Sequence, residues 1–223
     1  MMQSVHNIYG QAGAALMVLV ILSSVLRPVV RSNAARGILL GIAFGVSVIP
    51  LGGISLVELL RGTTGDISIP TFLFCVMALT KFWSDEGKSC GQTGLASRPF
   101  PFFGGGSLGG FFIVVLIGGC VFYPMTMGFT VTDPYAWGYA PRWMLLVCLL
   151  VTVAFEFAGQ RTASSLVLIS VGAHALRLME STNLWDYLLD PVLFLACLVG
   201  CIAALVRWLW SCRRRNAATG LVG

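Results

Sequence analysis

The sequence predicts an all-α integral membrane protein in which about seven transmembrane helices, six at the fewest, form one domain over residues 1–223. Hydrophobic residues make up 57% of the chain and charged residues only 10%, whereas a soluble domain is about a quarter charged. The mean hydropathy of +0.87 indicates a lipid solvent. Apolar runs of about 20 residues recur, which is the helix length that crosses a hydrocarbon core of roughly 30 Å.

Seven apolar runs, each bounded by charged, aromatic or turn-forming residues, are the predicted spans. They cover residues 12–30, 37–60, 69–83, 108–127, 143–157, 163–180 and 190–210. The third and sixth runs are short for a complete crossing, so the count depends on them.

The first span is predicted to be a retained helix rather than a cleaved signal peptide. Residues 1–10 contain no Lys or Arg, and the basic residues Arg27, Arg31 and Arg36 come late in the apolar run or after it. A signal peptide has the opposite order, with its positive charge ahead of the apolar core. This order places the N-terminus outside.

The second span carries a face without side chains. Gly37, Gly41 and Gly45 recur at four-residue spacing, so they share one side of a helix. Small residues let a second helix approach closely within a membrane. We therefore predict helix packing on this glycine face.

The end of the second span contains helix-disrupting residues. Pro50 and the pair Gly52-Gly53 predict a kink or an unwound turn. Beyond the break, Glu58 and Arg61 are three residues apart and are predicted to form an ion pair on one helix face.

The third span is followed by the largest polar segment of the chain. Pro70 stands at a first-turn position of this span, and Trp83 ends it at a headgroup boundary. Residues 84–107 have no apolar period and are predicted to be a cytoplasmic loop. In the fourth span, Pro124 is expected to bend the outer end.

The last three spans are connected by short segments. Only residues 158–162 join the fifth span to the sixth, which predicts an antiparallel hairpin. Asn183 with Asp186, and then Asp190 before Pro191, have the spacing of helix starts. We expect residues 183–190 to form a short amphipathic helix on the outer surface.

The distribution of basic residues orients the bundle, because cytoplasmic loops are enriched in Lys and Arg. Seven spans with the N-terminus outside put eleven basic residues inside: Arg27, Arg31, Arg36, Lys81, Lys88, Arg98, Arg161, Arg207, Arg213, Arg214 and Arg215. Three lie toward the outside: Arg61, Arg142 and Arg177. The C-terminus is then cytoplasmic.

The sixth span contains the best candidate for a functional site. Ser170, His174, Arg177 and Ser181 recur at helical spacing and predict one continuous polar stripe. Ionisable groups at membrane depth are costly and usually face the bundle interior or a cavity. The stripe is therefore predicted to face away from lipid.

Two interpretations of this stripe remain open. His174 titrates near neutrality, so the stripe suits a proton or anion relay. The alternative, which we favour, is a structural ion pair between Arg177 and an acid of the outer face. The outer-face acids are Glu180, Asp186 and Asp190.

Glu156 is the only acid of the fifth predicted span. It is about one turn from the inner end of the fifth span, close to Arg161. Pairing with Arg161 is the favoured interpretation. If Glu156 instead faces a cavity, Glu156 and His174 would be two polar stations of a proton-coupled pathway.

Residues 105–109 satisfy the G-x-S-x-G motif, which raises the possibility of an intramembrane serine hydrolase. The predicted topology puts Ser107 at the inner end of the fourth span and His174 in the outer half of the sixth. A general base must lie within about 3 Å of the hydroxyl that it deprotonates, but about half a bilayer separates these two residues. We therefore expect no catalytic residue.

The sequence thus predicts a small-solute or proton-linked transporter. The alternative is a non-catalytic membrane subunit or scaffold, which would use the glycine face to bind a partner subunit or a second copy. We expect a multi-pass protein of a bacterial inner membrane whose surroundings are lipid and not nucleic acid. We expect no cofactor and no metal, because Cys197 and Cys201 alone are a weak metal signal.

Overall fold

A computed structural model describes residues 2–29, 33–50, 52–84 and 108–219 of the chain. Within these ranges the protein is helical and contains no β-strand, so the predicted all-α class is confirmed. The α-helices are α1 (Met2–Val29), α2 (Asn33–Val48), α3 (Leu56–Thr64), α4 (Ile69–Ser84), α5 (Gly109–Pro124), α6 (Arg142–Phe157), α7 (Arg161–Ala175), α8 (Leu184–Leu188) and α9 (Pro191–Thr219).

Three helical segments are long and apolar enough to cross a membrane: Val5–Leu26, Gly109–Phe129 and Pro191–Arg213. The length and composition of these three helices indicate a membrane protein. Helices α2, α4 and α6 have 16 residues each and α7 has 15, which corresponds to about 24 Å at 1.5 Å per residue.

The predicted second span, residues 37–60, is two helices. Helix α2 ends at Val48, and α3 begins at Leu56 after the segment that holds Pro50 and the glycine pair. Gly52 and Gly53 adopt positive φ angles of 75° and 96°, which only glycine reaches without strain. The expected break is present, and it divides the span completely.

Helix α3 begins with a capping box, which overturns the predicted pair of Glu58 with Arg61. The Ser55 hydroxyl accepts from the Glu58 N–H, and the Glu58 carboxylate accepts from the Ser55 N–H at 2.8 Å. These bonds hold the pKa of the Glu58 carboxyl below its usual value. The Glu58 carboxylate accepts from a backbone N–H that has no partner within the helix, so it does not pair with Arg61.

Helix α5 changes its geometry after Pro124. A five-residue π-helical turn, Met125–Phe129, follows the proline and contains Gly128 at a φ of 86°. Proline has no N–H to donate to the carbonyl four residues earlier, which accounts for the altered helix geometry at this position.

The predicted sixth span, residues 163–180, ends early. Helix α7 stops at Ala175, and Arg177 adopts a left-handed conformation with a φ of 52°. The N–H of Leu178 donates to the Ala173 carbonyl, which closes the helix end. Arg177 and Ser181 therefore do not continue the helix face of Ser170 and His174.

The apolar core lies between α4, α5, α6, α7, α8 and α9, where its largest members include Phe74, Phe111, Phe112, Phe155 and Tyr187. Helix α1 packs on α3 through Ala14, Val18 and Val57. Large apolar side chains also cover the outside of α6, where Trp143 is 78% and Phe157 is 90% exposed. Such an outer surface suits lipid rather than water.

Residues 85–107 lie outside the described part of the chain. The predicted cytoplasmic loop, Cys90 and the Ser107 motif fall in this range or at its edge.

Candidate functional site

Segments that are distant in sequence meet at one end of the bundle. They are the first turns of α1, the helix α3 with residues 65–68, the connection 130–141 and the connection 176–190. An open cleft of about 620 Å³ lies between two of them, the helix α3 with the residues that follow it and the connection 176–190. We call it the Arg61 cleft, and its charged lining residues are Glu58, Arg61, Asp66, Glu180, Asp186 and Asp190.

Arg61 joins three of these segments. Its Nε donates to Asp66 Oδ1 at 2.9 Å, and Nη1 donates to Asn7 Oδ1 of α1 at 2.6 Å. Nη2 lies 3.6 Å from a carboxylate oxygen of Glu180. A planar guanidinium offers donors in several directions, which suits a residue that holds three partners at once.

Helix α1 comes close to this pair because Gly10 has no side chain. A Cβ at Gly10 would overlap both the Arg61 guanidinium and the Asp66 carboxylate. The glycine therefore makes room for two charged groups beside a helix backbone.

Asp66 has one satisfied and one unsatisfied oxygen. Its side chain is only 10% exposed, and Oδ1 accepts from Arg61. Oδ2 is buried and has no hydrogen-bond partner in the described part of the chain. A buried carboxylate oxygen without a donor is costly, so the ion pair with Arg61 is the interaction that holds the Asp66 charge in this position.

Asp190 stabilises the start of α9 and the floor of the cleft. Oδ1 accepts from the Leu193 N–H, and Oδ2 accepts from the Ser68 N–H, each at 2.6 Å. Asp190 thus acts as an N-cap and also ties α9 to the segment before α4. The helix start predicted at Asp190 is confirmed.

Asp186 accepts from one neutral donor of the connection 130–141 and from another of its own connection. The Tyr135 hydroxyl donates to both carboxylate oxygens at 3.0 and 3.2 Å, and the Ser181 hydroxyl donates to Oδ2. Burial, the Asp186 charge and this hydrogen bond raise the pKa of the Tyr135 phenol well above its ordinary value. Neither donor neutralises the negative charge of Asp186.

Two histidines hold the connection 176–183. His174 Nε2 donates to the Thr182 carbonyl at 3.1 Å, and His6 Nε2 of α1 donates to the Arg177 carbonyl at 2.8 Å. The His174 ring also meets the Tyr187 ring edge to face at 5.1 Å. His174 therefore closes a turn beside the cleft and does not line it.

The other residues of the predicted stripe have different surroundings. Ser170 is fully buried, and its hydroxyl donates to the Leu166 carbonyl of the same helix. Arg177 is exposed, and within the described residues its guanidinium forms no ion pair. The expected pairing of Arg177 with Glu180 or Asp186 is wrong, because Glu180 lies beside Arg61 and Asp186 accepts from hydroxyl groups.

Glu156 is also paired differently from expectation. Its carboxylate accepts from the Ser164 hydroxyl of α7 rather than from Arg161. Glu156 and Arg161 lie at the α6–α7 turn, and 13 residues of α7 separate that turn from His174, or roughly 20 Å. Glu156 of α6 thus lies beside the start of α7, whereas His174 lies near the end of α7.

The glycines that permit close packing are not those of the predicted face. A Cβ at Gly41 or Gly45 would meet nothing within 4 Å, so these positions of α2 are open. A Cβ at Gly119 of α5 would instead overlap the Phe194 ring of α9. Within the described residues, close approaches occur at Gly10, Gly13 and Gly119, and not at Gly41 or Gly45.

Sequence reasoning missed Asp66, Asn7 and the contacts that Arg61 makes with three segments. Arg61 is one of only three basic residues assigned to the outer side, and this scarcity was the available signal. The predicted topology puts six acids on the same side: Glu58, Asp66, Asp133, Glu180, Asp186 and Asp190. Asn7 lies 54 residues away in sequence, so no local spacing indicates the contact.

No protein-family model matches the chain, and no curated protein or solved structure matches it either. Function is therefore inferred from the residues of the Arg61 cleft and their geometry.

Proposed function

We propose that the chain is a multi-pass membrane protein of a bacterial inner membrane that takes up or exchanges a small polar solute, with the Arg61 cleft as its entry site. The observation that carries this proposal is the arrangement of Arg61 and Asp66. The nearly buried Asp66 carboxylate and the Arg61 guanidinium form an ion pair in the lining of an open cleft.

The size of the cleft supports a small ligand. At about 620 Å³ it falls within the range of roughly 300 to 1,000 Å³ that is common for small-molecule sites. Its lining combines charged groups with the apolar side chains of Met179, Leu189 and Pro191. The charged groups can orient a polar ligand, and the three apolar side chains can contact its hydrocarbon part.

The position of the cleft supports an entry site. Helices α4, α6 and α9 begin at this end, and α7 ends here, so the cleft lies at the mouth of the bundle. The basic residues of the sequence favour an outer position for this end. We propose seven crossings, in which the shorter helices α2, α4, α6 and α7 complete the bundle in a locally thinned bilayer.

The experiment is solute uptake by proteoliposomes that contain the purified full chain. Panels of small cationic, anionic and neutral solutes are compared with protein-free vesicles. We expect one class to accumulate and Arg61→Ala to abolish that accumulation, while Arg177→Ala retains it. Equal permeation in protein and protein-free vesicles for every class would reject the transport proposal.

A second candidate function is a membrane subunit that binds another chain through the glycine face. The observation that favours it is the open space beside Gly41 and Gly45, since neither glycine is used for packing inside this chain. Gly41→Leu should then reduce oligomer size or partner recovery in mild detergent. An unchanged assembly in that variant would reject this function.

A further inference from the structure

The end of α9 that lies far from the Arg61 cleft is not covered by the rest of the bundle. Leu193, Cys197 and Gly200 are buried and form the face of α9 that packs on its neighbours. From residue 201 to residue 213, by contrast, no residue is buried. We call residues 201–213 the α9 extension. Four of its apolar side chains are more than half exposed: Ile202, Leu205, Trp208 and Trp210.

The α9 extension reaches beyond the helix that starts beside it. The Ser68 N–H donates to the Asp190 carboxylate, so α4 and α9 begin at the same level of the bundle. Helix α4 has 16 residues, whereas the apolar stretch Pro191–Arg213 has 23. At 1.5 Å per residue the difference is about 10 Å. The last two turns of the α9 extension therefore lie past the end of α4, where the seven-span topology puts the lipid headgroups.

The same two turns carry a positive charge that nothing on α9 offsets. Arg207 and Arg213 are exposed, and neither forms an ion pair within the described residues. Arg214 and Arg215 follow directly in the sequence. Helix α9 contains no Asp or Glu. Residues 207–215 thus hold four positive charges and no negative one.

Exposed tryptophans next to exposed arginines suit the headgroup layer of a membrane. A tryptophan ring is apolar but has a polar N–H, so it is favoured where hydrocarbon meets water. A guanidinium donates parallel hydrogen bonds to the oxygens of a phosphate. A lipid with a net negative charge adds an attraction that a zwitterionic lipid lacks. The side chains of the α9 extension therefore favour anionic phospholipids.

Two other occupants fit this surface less well. A nucleic acid would meet the arginines but would leave Leu205, Trp208 and Leu209 beside water, where exposed apolar side chains are unfavourable. A second copy of the α9 extension would bring like charges together, because α9 has no acid to balance them. A membrane leaflet covers the apolar side chains and pairs the charges at once.

We propose that the α9 extension binds the headgroups of anionic phospholipids, with the Arg207 and Arg213 guanidinium groups donating to phosphate oxygens. Trp208 and Trp210 lie between these arginines and pack beside the glycerol region. This surface is at the opposite end of α9 from the Arg61 cleft, and the proposal does not depend on transport.

The test counts the lipids that stay bound to the purified full chain in dodecyl maltoside micelles, by native mass spectrometry. Phosphatidylglycerol and phosphatidylcholine with identical acyl chains are the matched probes. We expect a preference for phosphatidylglycerol. Its affinity should fall at least tenfold in the double variant Arg207→Gln with Arg213→Gln, since each surface arginine contributes roughly a factor of five. Equal binding of the two lipids, or an unchanged affinity in this variant, overturns the proposal.

Two further double variants distinguish charge and position. Arg207→Lys with Arg213→Lys keeps the charge and should retain most of the affinity for phosphatidylglycerol. Arg142→Gln with Arg177→Gln removes two exposed arginines at the other end of the bundle and should leave the tightest lipid site unchanged. A loss in this control as large as that in the α9 variant would overturn the assignment to the α9 extension.

Two competitors test the source of the phosphate. Inorganic phosphate that displaces phosphatidylglycerol at equal concentration would indicate a general anion site and overturn the proposal. Tighter binding of a duplex oligonucleotide than of phosphatidylglycerol would indicate a nucleic-acid surface and overturn it as well. We expect neither, and we expect added salt to weaken lipid binding more in the wild type than in Arg207→Gln with Arg213→Gln.

Discussion

The backbone N–H of Ser68 donates a 2.6 Å hydrogen bond to Oδ2 of Asp190, which is 122 residues away in sequence. Ser68 is fully buried and Asp190 nearly so. The other oxygen of Asp190 caps α9 by accepting from the Leu193 N–H. One carboxylate therefore determines both where α9 begins and where the start of α4 lies against it.

Asp190→Ala should lower the free energy of unfolding by about 2–4 kcal/mol, as the sum of a lost N-cap and a buried N–H left without an acceptor. Denaturant unfolding in micelles measures this loss. Asp133→Ala is the matched control, because Asp133 caps an exposed 3-10 turn with one bond to the Tyr135 N–H. Equal losses in the two variants would contradict a special role for Asp190.

Arg61→Ala should destabilise the chain by about 2–3 kcal/mol, because it leaves the largely buried Asp66 charge without a partner. Arg61 is itself 21% exposed, so the low end of the range for buried pairs applies. Arg177→Ala should change stability by less than about 0.5 kcal/mol, since its guanidinium is exposed.

The double variant Arg61→Ala with Asp66→Asn is the internal check on this pair. It removes both charges and should recover part of the loss, as coupled neighbours do. Thermal unfolding of the four proteins gives the coupling. A larger effect for Arg177→Ala than for Arg61→Ala would contradict the assignment of Arg61 as the arginine that holds this end of the bundle together.

Local signals in the sequence predicted the helix starts well and the helix ends poorly. Asn183 and Asp190 cap α8 and α9 as their spacing indicated, because an N-cap is recognised within three residues. The end at Ala175 was missed because Arg177 takes a left-handed conformation that glycine usually provides. The Arg61 cleft was missed as well, since its contacts join residues far apart in sequence.

Gly119→Ala should destabilise the contact of α5 with α9 by about 1–3 kcal/mol, because the added methyl group overlaps the Phe194 ring. Gly41→Ala is the control in an open position of α2. It should be neutral or stabilising by up to about 1 kcal/mol, since alanine is the better helix former. Melting temperatures in detergent compare the two, and a larger loss at Gly41 would mean that the glycine face is a buried contact in the assembled protein.

The orientation of the bundle is testable by impermeant thiol labelling of intact cells. A single cysteine introduced as Glu180→Cys, in a background without the seven native cysteines, should react from outside because this position is exposed at the cleft. A single native cysteine at Cys212 or Cys90 should react only after the membrane is opened. The reverse pattern would invert the bundle and place the Arg61 cleft in the cytoplasm.

Stability should fall at alkaline pH because of Tyr135. Burial and the Asp186 carboxylate raise the pKa of its phenol in the folded state, whereas the unfolded chain ionises near the ordinary value of about 10. The folded state therefore keeps a proton that the unfolded state loses. This contribution is complete below about pH 10 and is lost progressively as the pH rises toward the folded pKa.

Tyr135→Phe removes this titration, so its melting temperature should decline less steeply than that of the wild type above about pH 10. Asp186→Asn keeps an acceptor for the phenol and removes the charge. It should move the Tyr135 pKa part of the way back, because burial, the larger cause, remains. Ultraviolet absorbance of the phenolate follows ionisation directly, and identical pH profiles for wild type and Tyr135→Phe would show that the bond to Asp186 contributes nothing to alkaline stability.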